Sequence, residues 1–355
     1  MTADVYFLPV SSGEDDIAIN MRLEKILGER ASFSFIQPKD MVAIKTHFGE
    51  KGSNGFVRPL FMKTFAGLIK KEQGIPFLTE TATLYRGQRA NAVEHINMAA
   101  KHGFTSEATD LPIIMADGLL GDEEVAVEIP GKLYTSVSIA SLIVKSQALV
   151  LVSHFTGHLA AGFGAALKNL GMGCASRRGK LVQHSTAKPS IKKAKCTGCG
   201  ECAKWCPQDA IDLENKIAVI DCDRCIGCGE CLAVCRFDAV GYNWSETYEQ
   251  LQRKVTEHAW GAVIGKGEKL LCFNFLTRIT KDCDCMGGFE PIYPDIGVLF
   301  SKDPVALDAA SLDLLEERAG KKLSQMAYDI PHRVQLDHAR DIGFGTTEYR
   351  LIQVG

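Results

Sequence analysis

The sequence predicts an α/β protein: a mostly parallel sheet with helices on both faces, interrupted by a small cysteine-rich α+β unit. Three observations lead there. Strand-like runs alternate with amphipathic helical runs along most of the chain, the pattern of a parallel sheet joined by crossover helices. The run Ala148–Val152 (ALVLV) is apolar at every position, as a central strand buried on both faces should be. Nine of the thirteen cysteines fall between Cys196 and Cys235.

Val5 to Val10 reads as the first strand. Ile19, Leu23, Ile26 and Leu27 recur at helical spacing, with Gly28 as the expected stop. Met41–Thr46 is a short strand that runs into the glycine-rich loop HFGEKGSNGF. A helix is expected over about 58–73, with Phe61, Phe65, Leu68 and Ile69 on one face and Gly74 as its end. Pro76–Thr79 is a strand, followed by the polar loop TETATLYRGQRAN and a helix over about 90–102. Leu111–Met115 and Val125–Ile129 read as strands and Ile139–Val144 as a helix. Ala148–Val152 enters SHFTGHLAAGFG, and the next helix is expected from Phe163 to Leu170. Beyond the cysteine-rich unit come a helix over about 246–262, a strand Leu270–Phe275 and a long loop holding Cys283 and Cys285. A strand Ile296–Phe300, a helix Asp303–Ala319 and a last strand Tyr349–Val354 complete the chain. Residues 1–188 and 244–355 thus form one α/β host domain, with residues 189–243 inserted at an exposed loop after the basic connection STAKPSIKKAK.

The chain has 355 residues, with 46% hydrophobic and 23% charged, ordinary for a globular protein of two or three domains. A net charge of −3 gives no basis for nucleic acid or an anionic membrane as a partner. No apolar run reaches membrane length, and MTADVYFLPV lacks the features of a signal peptide. An odd number of cysteines, mostly in one pattern, points to a reducing cytoplasm rather than a disulfide framework.

The cysteine-rich unit carries the clearest chemistry. Cys196, Cys199, Cys202 and Cys206 have C-x2-C-x2-C-x3-C spacing, and Cys225, Cys228, Cys231 and Cys235 repeat it 29 residues later. The flanks CTGCGECAKWCPQDAI and CIGCGECLAVCRFDAV repeat as well, so the unit is an internal duplication. Three thiolates at steps of three residues can wrap one iron–sulfur cube, and the glycines between them let the backbone turn its N–H groups toward sulfur. Zinc knuckles use separated C-x2-C pairs and have no need of a third cysteine at the same step. The stretch over about 190–243 resembles bacterial two-cluster ferredoxins, in which the fourth cysteine of each run ligates the other cluster. That resemblance implies two [4Fe–4S] clusters, one on Cys196, Cys199, Cys202 and Cys235 and one on Cys225, Cys228, Cys231 and Cys206. Arg236 stands where proline usually follows. Cys222 has no counterpart in the first run, where Lys193 holds its place, and reads as a non-ligand.

Four polar loops follow strands of the host: 47–54, 79–91, 154–164 and 274–284. Ligands of open parallel sheets bind at the carboxyl ends of strands, so these loops are expected to meet in one crevice. His47, His154, His158, Cys283 and Cys285 are the candidate catalytic residues. Cys283 and Cys285 form a C-x-C between aspartates, suited to an additional metal or a third redox centre. Arg177 and Arg178 either hold a carboxylate or phosphate or belong to a solvated basic loop, the reading favoured here. Gly162 and Gly164 make only part of a dinucleotide-binding motif, and no P-loop or H-E-x-x-H occurs.

The runs HFGEKGSNGFVRP, SHFTGHLAAGFGAALKNLGMGCASRRGK and ITKDCDCMGGFEPIYPDIGVLFSKDPVALD resemble the iron–sulfur protein family known as domain of unknown function 362. The resemblance implies an α/β host with two [4Fe–4S] clusters and no settled reaction. Two functions remain: an iron–sulfur oxidoreductase that exchanges electrons between a redox partner protein and a small substrate, or a non-enzymatic carrier, docking or sensing protein.

Overall fold

Residues that alternate along a strand point to opposite faces, and here both faces find apolar cover. Leu149 and Leu151 join one core, while Val150 and Val152 join another on the far side. The structure is a computed structural model that describes residues 2–355 except positions 12, 85–86, 185–188, 207, 226–229 and 243–247. Seven strands form the main sheet: β1 (Ala3–Pro9), β2 (Met41–Lys45), β3 (Ile75–Thr79), β4 (Ala148–His154), β5 (Leu270–Leu276), β6 (Gly297–Ser301) and β7 (Tyr349–Gln353). Their order is β7-β1-β6-β5-β4-β2-β3. All run parallel except β6, which pairs antiparallel with both β1 and β5.

The first core lies between the sheet and the helices Ala166–Gly171, Tyr248–Val263, Pro304–Ala319 and Val334–Ile342. The second lies under the helices Asp16–Glu29 and Pro59–Lys71. Local chemistry fixes several ends. Asp303 accepts the N–H groups of Val305 and Ala306 and Pro304 takes the first helical position, so DPVALD starts its helix unaided. Asn91 caps the helix Ala92–Lys101 in the same way.

Several expectations are corrected. Ile139–Val144 is a strand Ser136–Ala140, paired with Glu124–Glu128, before a short helix Ser141–Lys145. Leu111–Met115 contributes one bridge, Ile113 to Leu78, and no strand. Phe163 is not helical: Thr156–His158 and Gly162–Gly164 form a hairpin, and the helix begins at Ala166. The basic stretch at Arg177 is a helix, Arg177–His184. The tail carries a further helix, Val334–Ile342. β6 follows β5 without a crossover helix, so it must return antiparallel, and the loop between them stays at the carboxyl end of the sheet.

The cysteine-rich segment builds elements of its own. Pro189–Ile191 pairs with Val240–Tyr242, and Ile211–Glu214 with Ile217–Ile220. Two short helices, Glu201–Lys204 and Glu230–Val234, repeat the internal duplication. Cys202 and Cys231 share a small core with Ile211, Ala218 and Val240, against which Cys196, Cys206 and Cys235 pack.

Candidate functional site

Where β2, β3, β4 and β5 end, the four polar loops close around one cavity of about 720 Å³. Backbone pairing stops there and side chains are freed to converge. His47, His154, His158, Cys283 and Cys285 all line it.

The three histidines differ in their surroundings. His154 ends β4 with both ring nitrogens engaged: Nδ1 lies 2.9 Å from Asp284 Oδ2, and Nε2 lies 3.0 Å from the Thr277 carbonyl. Asp284 also accepts from Ser53. This histidine ties three loops together. His47 accepts the Gly49 N–H at Nδ1 and meets Arg89 Nη1 at 2.8 Å through Nε2. Burial first, then the charge of Arg89, holds its pKa well below the ordinary histidine range.

His158 faces the sulfurs. One ring nitrogen of His158 and the sulfurs of Cys283 and Cys285 all lie within 4.8 Å of one another. Cys283 and Cys285 are joined as a disulfide. His158 Nδ1 accepts the N–H groups of Ala160 and Ala161, at 3.1 and 2.8 Å. Burial keeps the ring neutral by pulling its pKa far down, so its one proton sits on Nε2. A metal-ligating histidine has the reverse arrangement, with its second nitrogen donating. Ligation of a metal by either ring nitrogen would require the ring to give up both amides.

The charged groups of the cavity are ones that sequence patterns do not single out. Lys45, the last residue of β2, is fully buried and meets Glu80 at 2.5 Å, while donating to Asn169 Oδ1 at 2.8 Å. Asn169 in turn donates to Val152 O and Ser153 Oγ. Arg89 reaches Glu50 at 3.1 Å. Lys180 donates to Thr81 Oγ1 and the Ala175 carbonyl. Burial pulls both Lys168 and Lys180 down to about 8. Lys45 ends β2 and Glu80 follows β3, so for this pair a charge placed directly against an apolar strand was the available signal. Arg177 and Arg178 line no part of this cavity; Arg177 Nη1 donates to Leu120 O. Cys174 is buried, which pushes its thiol up to about 11, an inert setting.

In the cysteine-rich segment, Cys196, Cys199, Cys202 and Cys235 line a second cavity, so the fourth cysteine of the second run stands with the trio of the first. Backbone N–H groups point at sulfur: Ala218 donates to Cys196 at 3.4 Å, Ala210 to Cys206 at 3.3 Å and Ala239 to Cys235 at 3.3 Å. Mutual repulsion with Cys199, Cys196 and Cys235 adds to burial in raising the Cys202 pKa. Cys206, Cys225, Cys231 and Cys235 are half-buried or buried and Cys222 is exposed. Cys228 lies outside the described residues. Leu232, next to Cys231, packs against Leu84 and Leu181, and Leu84 lines the host cavity.

The family described as "Domain of unknown function (DUF362)" matches residues 42–313. No curated protein matches the chain. Two solved structures are similar at low identity. One is the lactate racemase apoprotein of Thermoanaerobacterium thermosaccharolyticum, 13% identical over 78% of this chain and 51% of that one, at a TM-score of 0.40. The other is a structural-genomics protein of Thermotoga maritima, 11% identical over 75% of this chain and 52% of that one, at a TM-score of 0.39. The chain therefore spans about half the length of the solved proteins it matches.

Proposed function

The chain belongs to the DUF362 family, and from that premise we propose that it is an iron–sulfur oxidoreductase, passing electrons between a redox partner protein and a small substrate in the host cavity. The observation that carries this reading is the grouping of Cys235 with Cys196, Cys199 and Cys202 around one cavity. Four thiols from two runs in one place, with N–H groups aimed at sulfur, fit a cubane cluster better than a pair of zinc knuckles. Cys206, Cys225 and Cys231, together with Cys228, would hold the second. Bound there, two all-thiolate [4Fe–4S] clusters supply single electrons at low potential, roughly −400 mV.

The chain's own groups supply the rest. Cys199 is exposed, which leaves the first run open to an external partner. Leu232 brings the second run against the wall of the host cavity. Inside, a neutral His158 ring stands beside the C-x-C sulfurs, its Nδ1 accepting two backbone N–H groups. A plain electron carrier has no use for such a cavity, so the enzyme reading is preferred to the docking module. Thiolate ligands call for a reducing compartment such as the cytoplasm. Among the described residues no helix is long and apolar enough to cross a membrane.

Anaerobically reconstituted protein should contain about eight irons and eight sulfides per chain and give a reduced-state EPR signal. Recovery of zinc in place of iron would sink the proposal.

A further inference from the structure

The fold leaves two polar groups of the cavity wall without partners. Lys168 stands on the helix Ala166–Gly171 and lines the cavity, yet makes no hydrogen bond and no ion pair among the described residues. The other cations there are matched: Lys45 by Glu80, Arg89 by Glu50, and Lys180 by Thr81 and the Ala175 carbonyl. Thr156 also lines the cavity, is 1% exposed, and its hydroxyl is buried without a partner. A buried hydroxyl left unsatisfied costs about 1–3 kcal/mol, so an empty valence of this kind marks a place for a ligand atom.

Gly164 connects the two. A Cβ built on it would lie 3.1 Å from Thr156 Oγ1, 3.5 Å from Lys168 Cδ and 4.0 Å from Cys283 Cβ. The missing side chain is what leaves a small recess between the Lys168 stem, the Thr156 hydroxyl and the C-x-C loop. We propose that this recess is an anion subsite, in which a carboxylate or phosphate group of a small organic ligand sits over Gly164 and accepts from Lys168 Nζ and Thr156 Oγ1, with Cys283 beside it. The remaining walls, among them Leu159, Ala161, Ala165, Met172, Leu251 and Met286, suit an apolar body. Taken as the substrate of a redox reaction, this ligand rests on the function proposed above; taken as a binding site, it rests on host residues alone.

The charge of Lys168 sets a pH limit. Arg89, Glu80, Asp284, Lys45, His47, His158 and His184 surround it. The three histidines are held neutral by burial, so Lys168, at about 8, is the group among these that titrates in the weakly alkaline range. Binding should fade as pH rises through that value, and a Lys168→Arg variant should bind at higher pH than the wild type.

The test is calorimetric titration and thermal melting of the full-length, cluster-loaded protein with inorganic phosphate, acetate and succinate, against chloride at equal ionic strength. At least one anion should bind and raise the melting temperature. Lys168→Met and Gly164→Ala should weaken it by about tenfold or more, and Thr156→Val by several-fold. Response to phosphate alone assigns a phosphate ligand, and response to acetate or succinate a carboxylate. Gly164 does not need a left-handed backbone, so Gly164→Ala tests the recess with little risk to folding. The subsite is overturned if none of the three anions at about 10 mM acts beyond chloride, or if Lys168→Met binds as the wild type does. Loss of anion binding with about eight irons present refutes the subsite alone; anion binding without iron refutes the redox reading alone.

Discussion

Two histidines four residues apart have opposite duties. His154 spends both nitrogens on Asp284 and on backbone carbonyls of the loop after β5, whereas His158 accepts two backbone N–H groups through Nδ1 and lies beside the sulfurs. His154→Ala should therefore cost about 2–3 kcal/mol in denaturant unfolding, because it strands the buried Asp284 carboxylate. His158→Ala should cost less than His154→Ala, because the Ala160 and Ala161 N–H groups it frees are only part-buried, while altering the alkylation rate of the reduced C-x-C thiols. Equal losses for the two would show that His158 is structural. Among the cysteines, Cys222→Ser should leave iron content and the EPR signal intact, and Cys206→Ser should damage the cluster of the second run. The reverse result would overturn the ligand assignment. The cysteine spacing was legible residue by residue because it repeats at fixed steps along neighbouring positions. The role of Lys168 was not, because it depends on what fails to touch it.

At the scale of elements, the helix Ala166–Gly171 shows how distant residues decide a local structure. Its N-cap, Ala165, offers no side-chain oxygen. The acceptor comes from Asp308, on the helix Pro304–Ala319, which receives the Ala166 and Leu167 N–H groups at 2.9 and 2.8 Å and Asn274 Nδ2 at 2.7 Å. No pattern near residue 165 could reveal a cap supplied 142 residues away. The expected start at Phe163 failed because Gly162–Gly164 pairs with Thr156–His158 in a hairpin, which holds Phe163 extended. Asp308→Ala should cost about 3 kcal/mol, measured by urea unfolding, because three donors lose their acceptor in a dry site. Burial pushes Asp308 up to about 7 despite those donors. Between pH 4 and 7 the folded state thus holds a proton that the unfolded chain has released, so this residue's contribution falls as pH rises across that window. An Asp308→Asn variant, whatever its absolute stability, should show a flatter dependence on pH there.

For the whole molecule, Pro189–Ile191 and Val240–Tyr242 lie side by side, so the chain leaves and re-enters the host at nearly one place. The main sheet draws no strand from the segment between them. Replacing residues 189–242 by a short flexible linker should leave a host that melts cooperatively, at a somewhat lower temperature because Leu84 and Leu181 lose the cover of Leu232. A host that is insoluble or lacks a cooperative transition would mean that the two parts fold as one.

The sequence by itself determined the alternation of strands and helices, the double-sided burial of Ala148–Val152 and the repeated cysteine spacing, because each is written in the periodicity of adjacent residues. Only the tertiary structure decided that β6 runs antiparallel, that Asp308 caps a remote helix, and that Thr156, Gly164, Lys168 and Cys283 share one corner. Those outcomes depend on which strand ends become neighbours, and neighbours in a sheet are chosen by packing over the whole chain rather than by any local run.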